Sequence, residues 1–140
     1  MEPELSLSVV SHGQAALVTD LLADIATCLR TPLRVILTVN QPEPDETWAS
    51  RNYPFEIQVV RNQFRRGFGA NHNAALQQSR TELFCVLNPD IRLTSDPFPV
   101  LMQELADPRI GVVAPLIVNP DQTPEDHARA FPSIFSLVGK

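Results

Sequence analysis

Short apolar runs alternate with helix-type segments along most of the sequence, and this alternation restricts the fold more than any other feature. Four β-branched or apolar runs predict strands at residues 5–10, 33–39, 55–60 and 83–88. Apolar residues three and four apart predict a helix over 14–29, and the Ala, Leu and Gln content predicts another over 70–79. The pattern is typical of an α/β fold, with a mostly parallel, Rossmann-like sheet and helices on both faces.

The C-terminal third is expected to add one helix and one strand. Asp96 followed by Pro97 predicts the N-cap and first residue of a helix that runs to about Ala106. Residues 110–114 then predict a fifth strand, with a possible continuation over 116–118. We therefore predict one α/β domain over residues 1–118. The C-terminal tail, residues 119–140, is expected to contain a short amphipathic helix over 131–138.

Length and charge exclude several classes of protein. A chain of 140 residues that is 44% hydrophobic suits one globular domain. A net charge of -5 argues against nucleic-acid binding, which requires a basic surface. No apolar run approaches the ~20 residues of a membrane span, and the N-terminus lacks the features of a signal peptide. We expect a cytoplasmic protein without an export signal of its own.

The fourth strand-type run ends abruptly on Asn88-Pro89-Asp90. An ionised carboxylate at the end of a buried strand requires water, a partner or a cation. In open parallel sheets, ligands bind beyond the carboxyl ends of the strands, where the strand order reverses. If the order is 3-2-1-4, the first strand's Ser11 and His12 and the fourth strand's Asp90 face one crevice.

The usual nucleotide fingerprints are absent from this crevice. A dinucleotide site needs G-x-G-x-x-G after the first strand, whereas Gly67-Phe68-Gly69 follows the third. No Walker loop is present, and neither is the acidic pattern of a phosphorylated receiver domain.

A divalent cation on Asp90 is one remaining way to hold a diphosphate. Mg²⁺ and Mn²⁺ take one or two protein carboxylates and fill their other positions with phosphate oxygens and water. On the residues alone, Asn-Pro-Asp also fits an ordinary type I turn. Both interpretations stay open at this point.

Four short motifs, in order over nearly the whole chain, match a known family. They are Val9-Val10-Ser11-His12, then Arg61-Asn62 with Gly67-Phe68-Gly69-Ala70-Asn71-x-Asn73, then Leu87-Asn88-Pro89-Asp90, and Ala-Arg-Ala-Phe-Pro-Ser at 128–133. The sequence resembles the N-terminal, donor-binding half of a family 2 glycosyltransferase with the GT-A fold, especially of the rhamnosyltransferase-like branch.

The resemblance implies a nucleotide-sugar site within residues 1–118. It makes Asp90 the ligand of Mg²⁺ or Mn²⁺. The implied nucleotide contacts are Ser11, His12, Asn40, Arg66, Gly67, Asn71 and Asn88. A structural hydrogen bond is the alternative role for His12, and a solvated turn is the alternative for Arg66. We expect His72 to lie at the surface.

This sequence departs from the family pattern in two places. The family usually has an aspartate at the end of the second strand, where this chain has Asn40, whose amide can bond a base edge but offers no charge. The family's general base lies in a second, acceptor-binding half that we expect this chain to lack. No catalytic residue is therefore assigned.

Two functions follow as hypotheses. The first is a glycosyltransferase, or its donor-binding part, that moves a hexosyl or rhamnosyl group from a UDP- or dTDP-sugar to a glycan or lipid-linked acceptor in polysaccharide biosynthesis. The second is a non-catalytic nucleotide-sugar-binding module that needs a partner chain. A peripheral position at the inner membrane face and a homodimer through the C-terminal apolar helix are further expectations.

Overall fold

The computed structural model describes residues 2–125, which belong to two compact units. The first unit is Met1–Asp96, and the second is Pro97–Lys140. In the described residues, the first unit contains a four-stranded sheet, and the second contains one α-helix. None of the described helices is long and apolar enough to cross a membrane.

The sheet is parallel throughout and has the strand order β3-β2-β1-β4. Its strands are β1 (Leu5–Ser11), β2 (Leu33–Val39), β3 (Glu56–Arg61) and β4 (Leu83–Leu87). This is the 3-2-1-4 order that was the condition for placing the crevice. Both ends of the four strands predicted within residues 5–88 lie within one residue of the observed ends.

Two helices cover the sheet, α1 (Ala15–Cys28) and α2 (Phe68–Leu76). The chain crosses from β1 to β2 in one direction along the sheet and from β3 to β4 in the other. Because crossovers between parallel strands are right-handed, the two helices lie on opposite faces. The predicted fold class is therefore confirmed.

The two faces of the central strands differ in chemistry. On one face, alternate residues of β1 and β2 are apolar and buried: Leu5, Leu7, Val9, Val35, Leu37 and Val39. On the other face the buried residues include Ser6, Ser8, Arg34 and Thr38. Helix α2 packs on this polar face, where Nδ1 of His72 lies 2.8 Å from Oγ of Ser8.

This polar packing explains why α2 is displaced from its prediction. Its buried residues are Asn71, His72 and Ala75, so its sequence has no apolar stripe. The helix begins at Phe68 and ends at Leu76, whereas residues 70–79 were predicted.

The last described helix, α3 (Phe98–Leu105), begins one residue later than predicted. Its N-cap residue is Pro97, one residue after the predicted Asp96, so the prediction of Asp96 as N-cap is wrong. Oδ2 of Asp96 accepts hydrogen bonds from the backbone N–H groups of Arg30 and Thr31, at 2.8 and 3.1 Å. This carboxylate thus holds the connection between α1 and β2.

The predicted fifth strand is absent from the described residues. Residues 110–117 form no strand, and Val118 makes only an isolated bridge to Pro124. The apolar run predicted a buried strand, but Val112 is 88% exposed and no neighbouring strand in the described part of the chain supplies hydrogen bonds. The predicted tail helix lies outside the described residues, and the boundary at 118 stays a prediction.

Candidate functional site

The carboxyl ends of β1, β2 and β4 meet around a cavity of about 310 Å³, which we call the strand-end cavity. Register pairs Ser11 with Val39 and Val9 with Leu87, so the residues after β2 and β4 lie level with the end of β1. Six of the predicted site residues line this cavity: His12, Asn40, Arg66, Asn71, Asn88 and Asp90.

Asn40 joins the ends of β1 and β2. Its backbone N–H donates to the carbonyl of Ser11 at 2.9 Å, and its Nδ2 donates to Nδ1 of His12 at 2.9 Å. Since Nδ1 accepts this bond, the neutral His12 ring carries its proton on Nε2. His12 is exposed, so this Nε2–H is available to a ligand.

Asn40 also fixes the basic turn before α2. Its Oδ1 accepts from the backbone N–H of Arg66 at 2.9 Å and from Nδ2 of Asn62 at 2.8 Å, and its Nδ2 donates to the carbonyl of Arg66 at 3.0 Å. All four hydrogen-bonding positions of the Asn40 amide are therefore used within the protein. The structure leaves this amide no free position for a nucleotide base.

Asn71 extends this set of bonds, which we call the amide network. Its Oδ1 accepts from Nδ2 of Asn62 at 2.7 Å, and its Nδ2 donates to the carbonyl of Arg66 at 3.2 Å. Asn71 is only 1% exposed. The network holds the Arg66 backbone, while the guanidinium of this exposed residue has no ion-pair partner among the described residues.

Asn88-Pro89-Asp90 forms a turn and also contributes to the cavity. The N–H of Ile91 donates to the carbonyl of Asn88 at 3.4 Å, across the turn. Pro89 is buried, whereas Asn88 and Asp90 are exposed and line the strand-end cavity. The two interpretations left open by the sequence are therefore compatible, because the turn exposes the carboxylate at the sheet edge.

The donor set around Asp90 fits a cation that brings its own ligands. Among the described residues the Asp90 carboxylate has no ion pair, and no cluster of three His, Cys, Asp or Glu side chains could enclose a metal. Mg²⁺ and Mn²⁺ accept this arrangement when phosphate oxygens and water complete the shell. Asp90, with the amide oxygen of Asn88 in the same cavity, could supply the protein ligands.

Two predicted site residues do not line the cavity. Ser11 is fully buried, and its Oγ donates to Oε1 of Glu43 at 2.5 Å. Side chains alternate along a strand, so Ser11 shares the face of Leu7 and Val9, away from the cavity. Gly67 is the N-cap residue of α2, and a Cβ placed there would meet no atom within 4 Å.

Glu43 is a residue that the sequence reasoning missed. Its Oε1 also accepts from the backbone N–H of Gly13 at 2.9 Å. Gly13 has a φ of +79°, and a Cβ there would come within 2.6 Å of the Gln41 side chain. Glu43 therefore secures the glycine turn that leads from β1 towards α1.

His72 and Phe68 also line the strand-end cavity, although neither was predicted to. His72, expected at the surface, is only 5% exposed. Its ring packs edge-on against Phe68, with centroids 4.4 Å apart. Its burial depends on the polar face of the sheet, which apolar periodicity does not reveal. Its position next to the motif residue Asn71 was the available signal.

A second cavity of about 380 Å³, the loop cavity, lies beside the first and shares Asn40 with it. The other lining residues are Gln41, Pro42, Asn62, Gln63, Phe64 and Arg65. Phe64 is 81% exposed. The wall thus combines side-chain amides, an exposed aromatic ring and a cation.

Comparison with known proteins gives a family match and a structural match. A family model described as "Glycosyl transferase family 2" matches residues 6–136. No curated protein sequence matches the chain at a significant level.

Among solved structures, the chain is similar to the mannosyltransferase PcManGT from Pyrobaculum calidifontis, which was solved in complex with GDP-Man and Mn²⁺. The TM-score is 0.73 at 21% sequence identity, and the match covers 86% of this chain. It covers 37% of the mannosyltransferase, so this chain corresponds to well under half of that protein's length. The likeness supports the GT-A type of fold.

Proposed function

Because the chain belongs to glycosyl transferase family 2, we propose that it forms the donor-binding part of a metal-dependent glycosyltransferase. The observation that carries this proposal is the position of Asp90. Its carboxylate is exposed at the end of β4, has no ion pair among the described residues, and shares a cavity with His12 and Arg66. This is the place where an open parallel sheet binds its ligand.

The chain's own groups suggest how the donor lies. Asp90 and Asn88 would hold Mg²⁺ or Mn²⁺, which when bound would neutralise charge on the departing nucleoside diphosphate. The Arg66 guanidinium and the Nε2–H of His12 would bind diphosphate oxygens. The base would occupy the loop cavity, where Gln63 offers an amide and Phe64 a stacking surface.

The finer identity of the reaction is part of the proposal. We propose a UDP- or dTDP-linked hexose or rhamnose as donor, and a glycan or lipid-linked acceptor in polysaccharide biosynthesis, at a cytoplasmic site or the inner membrane face. The solved neighbour binds GDP-Man, so GDP belongs among the tested nucleotides.

One observation favours a second candidate, a nucleotide-sugar-binding module that does not transfer sugar by itself. Among the residues that the structure describes, Asp90 is the only acidic one in the wall of the strand-end cavity. Inverting sugar transfer needs a carboxylate to deprotonate the acceptor hydroxyl, in addition to the metal ligand. Measurement of sugar transfer and donor hydrolysis separates the two candidates.

Calorimetric titration of UDP, dTDP and GDP, with and without Mn²⁺, tests donor binding. We expect Mn²⁺-dependent binding of at least one nucleotide by the native chain. Asp90→Ala should weaken it at least about tenfold, since loss of even an outer-shell metal partner costs about 10- to 100-fold. The melting temperature should not change, because an exposed carboxylate contributes little to packing.

Asp45→Ala is the matched control, because this aspartate is also exposed but lines neither cavity. It should bind like the native chain. Equal Mn²⁺-dependent affinity of Asp90→Ala and the native chain would disprove the metal assignment, and no nucleotide binding at all would disprove the proposed function.

A further inference from the structure

His72 presents a buried polar atom that no residue of the described chain satisfies. The residue is only 5% exposed, and Nε2 is inaccessible to solvent and has no hydrogen-bond partner among the described residues. An unpaired buried polar group costs about 1–3 kcal/mol in a folded protein. A ligand that pairs with Nε2 would remove this cost, and His72 lies in the wall of the strand-end cavity.

The ring is held in a fixed orientation. Nδ1 lies 2.8 Å from Oγ of Ser8, a residue with no exposed surface in the middle of β1. With Nδ1 bonded to the sheet, Nε2 is the ring nitrogen left for a ligand.

Phe68 is the aromatic neighbour of the imidazole and also lines the strand-end cavity. Its ring packs on the imidazole one helical turn away and is 61% exposed. An exposed side chain changes rotamer in picoseconds to nanoseconds. We therefore expect Phe68 to be the side chain that moves when a ligand approaches the imidazole from the cavity.

The chemistry of the neutral ring selects the kind of partner. Burial lowers the pKa of His72 below its usual range, so the ring is neutral at pH 7. Ser8 can donate to Nδ1 or accept from it, and Nε2 is then a donor or an acceptor respectively. A hydroxyl group suits both states, because it donates and accepts.

We infer that Nε2 of His72 binds a hydroxyl group of the nucleotide-sugar donor, on the ribose or on the sugar. This inference rests on the proposed function and adds to it a residue that selects the donor. Within the cavity, the proposed hydroxyl contact of His72 comes from α2, whereas the proposed metal ligand Asp90 lies at the end of β4.

Two substitutions separate the two nitrogens of the ring. In His72→Asn the amide reaches the position of Nδ1, so the bond to Ser8 can persist while Nε2 is lost. In His72→Gln the amide reaches the position of Nε2 instead. Gln77→Ala is the control, because Gln77 is an exposed residue at the end of the same helix.

The experiment is titration of UDP and UDP-glucose into these variants with Mn²⁺, using the dTDP pair if dTDP binds the native chain more tightly. We expect His72→Asn to weaken binding about three- to tenfold, His72→Gln to retain more affinity, and Gln77→Ala to bind like the native chain. If His72→Asn binds both ligands more weakly, the partner of Nε2 is a ribose hydroxyl. If His72→Asn binds only the glucose conjugate more weakly, the partner is a hydroxyl of the sugar.

Melting temperatures distinguish a structural role from a binding role. If His72→Asn lowers the melting temperature but binds both ligands with native affinity, the inference is wrong and His72 serves packing alone. If the native chain binds no nucleotide, both the proposed function and this inference are wrong. If Asp90→Ala lacks metal-dependent binding and His72→Asn binds normally, only this inference fails.

Discussion

Single asparagine side chains build the frame of the candidate site. Asn62 donates to both Asn40 and Asn71, and these two side chains bond to the backbone of Arg66. An amide has two donor hydrogens and two acceptor lone pairs, so it can join two strand ends and a turn at once. A carboxylate at position 40 would lack the donors that Arg66 and His12 require.

Asn40→Asp is therefore expected to destabilise the protein. It would place a buried carboxylate oxygen about 3 Å from the Arg66 carbonyl, where Nδ2 now donates. We expect the free energy of unfolding at pH 7 to fall by about 1–3 kcal/mol in denaturant titration.

Asn52→Asp, at an exposed position in the same part of the chain, is the control and should change stability by less than about 0.5 kcal/mol. If Asn40→Asp is as stable as the native chain and binds nucleotide more tightly, position 40 contacts the base directly, and the structural role of the Asn40 amide is wrong.

At the scale of elements, polar side chains attach α1 to the segment after β4. Asp24 of α1 accepts hydrogen bonds from Nε and Nη2 of Arg92, at 2.7 and 2.9 Å, and from the N–H of Leu93 at 3.0 Å. The hydrogen bonds from Arg92 hold the pKa of Asp24 below its usual range, although partial burial opposes them. This contact fixes the chain just beyond Asp90.

Asp24→Asn should lower the melting temperature in a pH-dependent way. A carboxyl whose pKa is lowered by folding stabilises the protein above its unfolded pKa of about 3.9, and this contribution is lost as the pH falls through the lower folded value. We expect a decrease of about 2 °C at pH 7, small because Arg92 is largely exposed.

Thermal unfolding from pH 7 down to pH 2 measures this effect. The difference between Asp24→Asn and the native chain should narrow below about pH 4. Asp20→Asn is the control. Asp20 lies on the same helix, but its carboxylate is 4.0 Å from Nη1 of Arg92 and both groups are exposed, so its ion pair with Arg92 is weaker. A difference that stays constant over the whole range would contradict the role of the Asp24 charge.

At the scale of the whole molecule, burial is concentrated in the two central strands. All seven residues of β2 are buried, whereas β3 has no buried residue. Leu37 of β2 has no exposed surface, and its register partner Val59 of β3 is 39% exposed. The stability of the first unit should therefore depend mainly on β1, β2 and the face covered by α1.

Leu37→Ala tests this distribution. We expect it to lower the free energy of unfolding by about 2–5 kcal/mol, because it leaves a cavity in a closely packed core. Val59→Ala, on the same face and the same level of the sheet, should cost less than about 1 kcal/mol. Chemical denaturation of both variants makes the comparison, and equal losses would contradict it.

The sequence alone was sufficient for the four strands of the sheet and, given the strand order of the commonest doubly wound half as a premise, for the location of the cavity. Apolar runs predict strands because their burial is a property of the local sequence. Asp90 could be placed at the sheet edge, since a charged group cannot end a buried strand anywhere else. An apolar run also predicted a strand over residues 110–114. This prediction was wrong, because the run has no strand to pair with in the described part of the chain.

Only the tertiary structure decided how the polar residues are used. Asn40 has all its bonds satisfied by groups distant in sequence, Ser11 faces away from the cavity towards Glu43, and His72 is buried with one nitrogen unpaired among the described residues. Hydrophobic burial follows from apolar side chains and their spacing wherever another element covers them, so the sequence indicates most of it. A hydrogen bond depends on the position and direction of both partners, which exist only once the chain has folded.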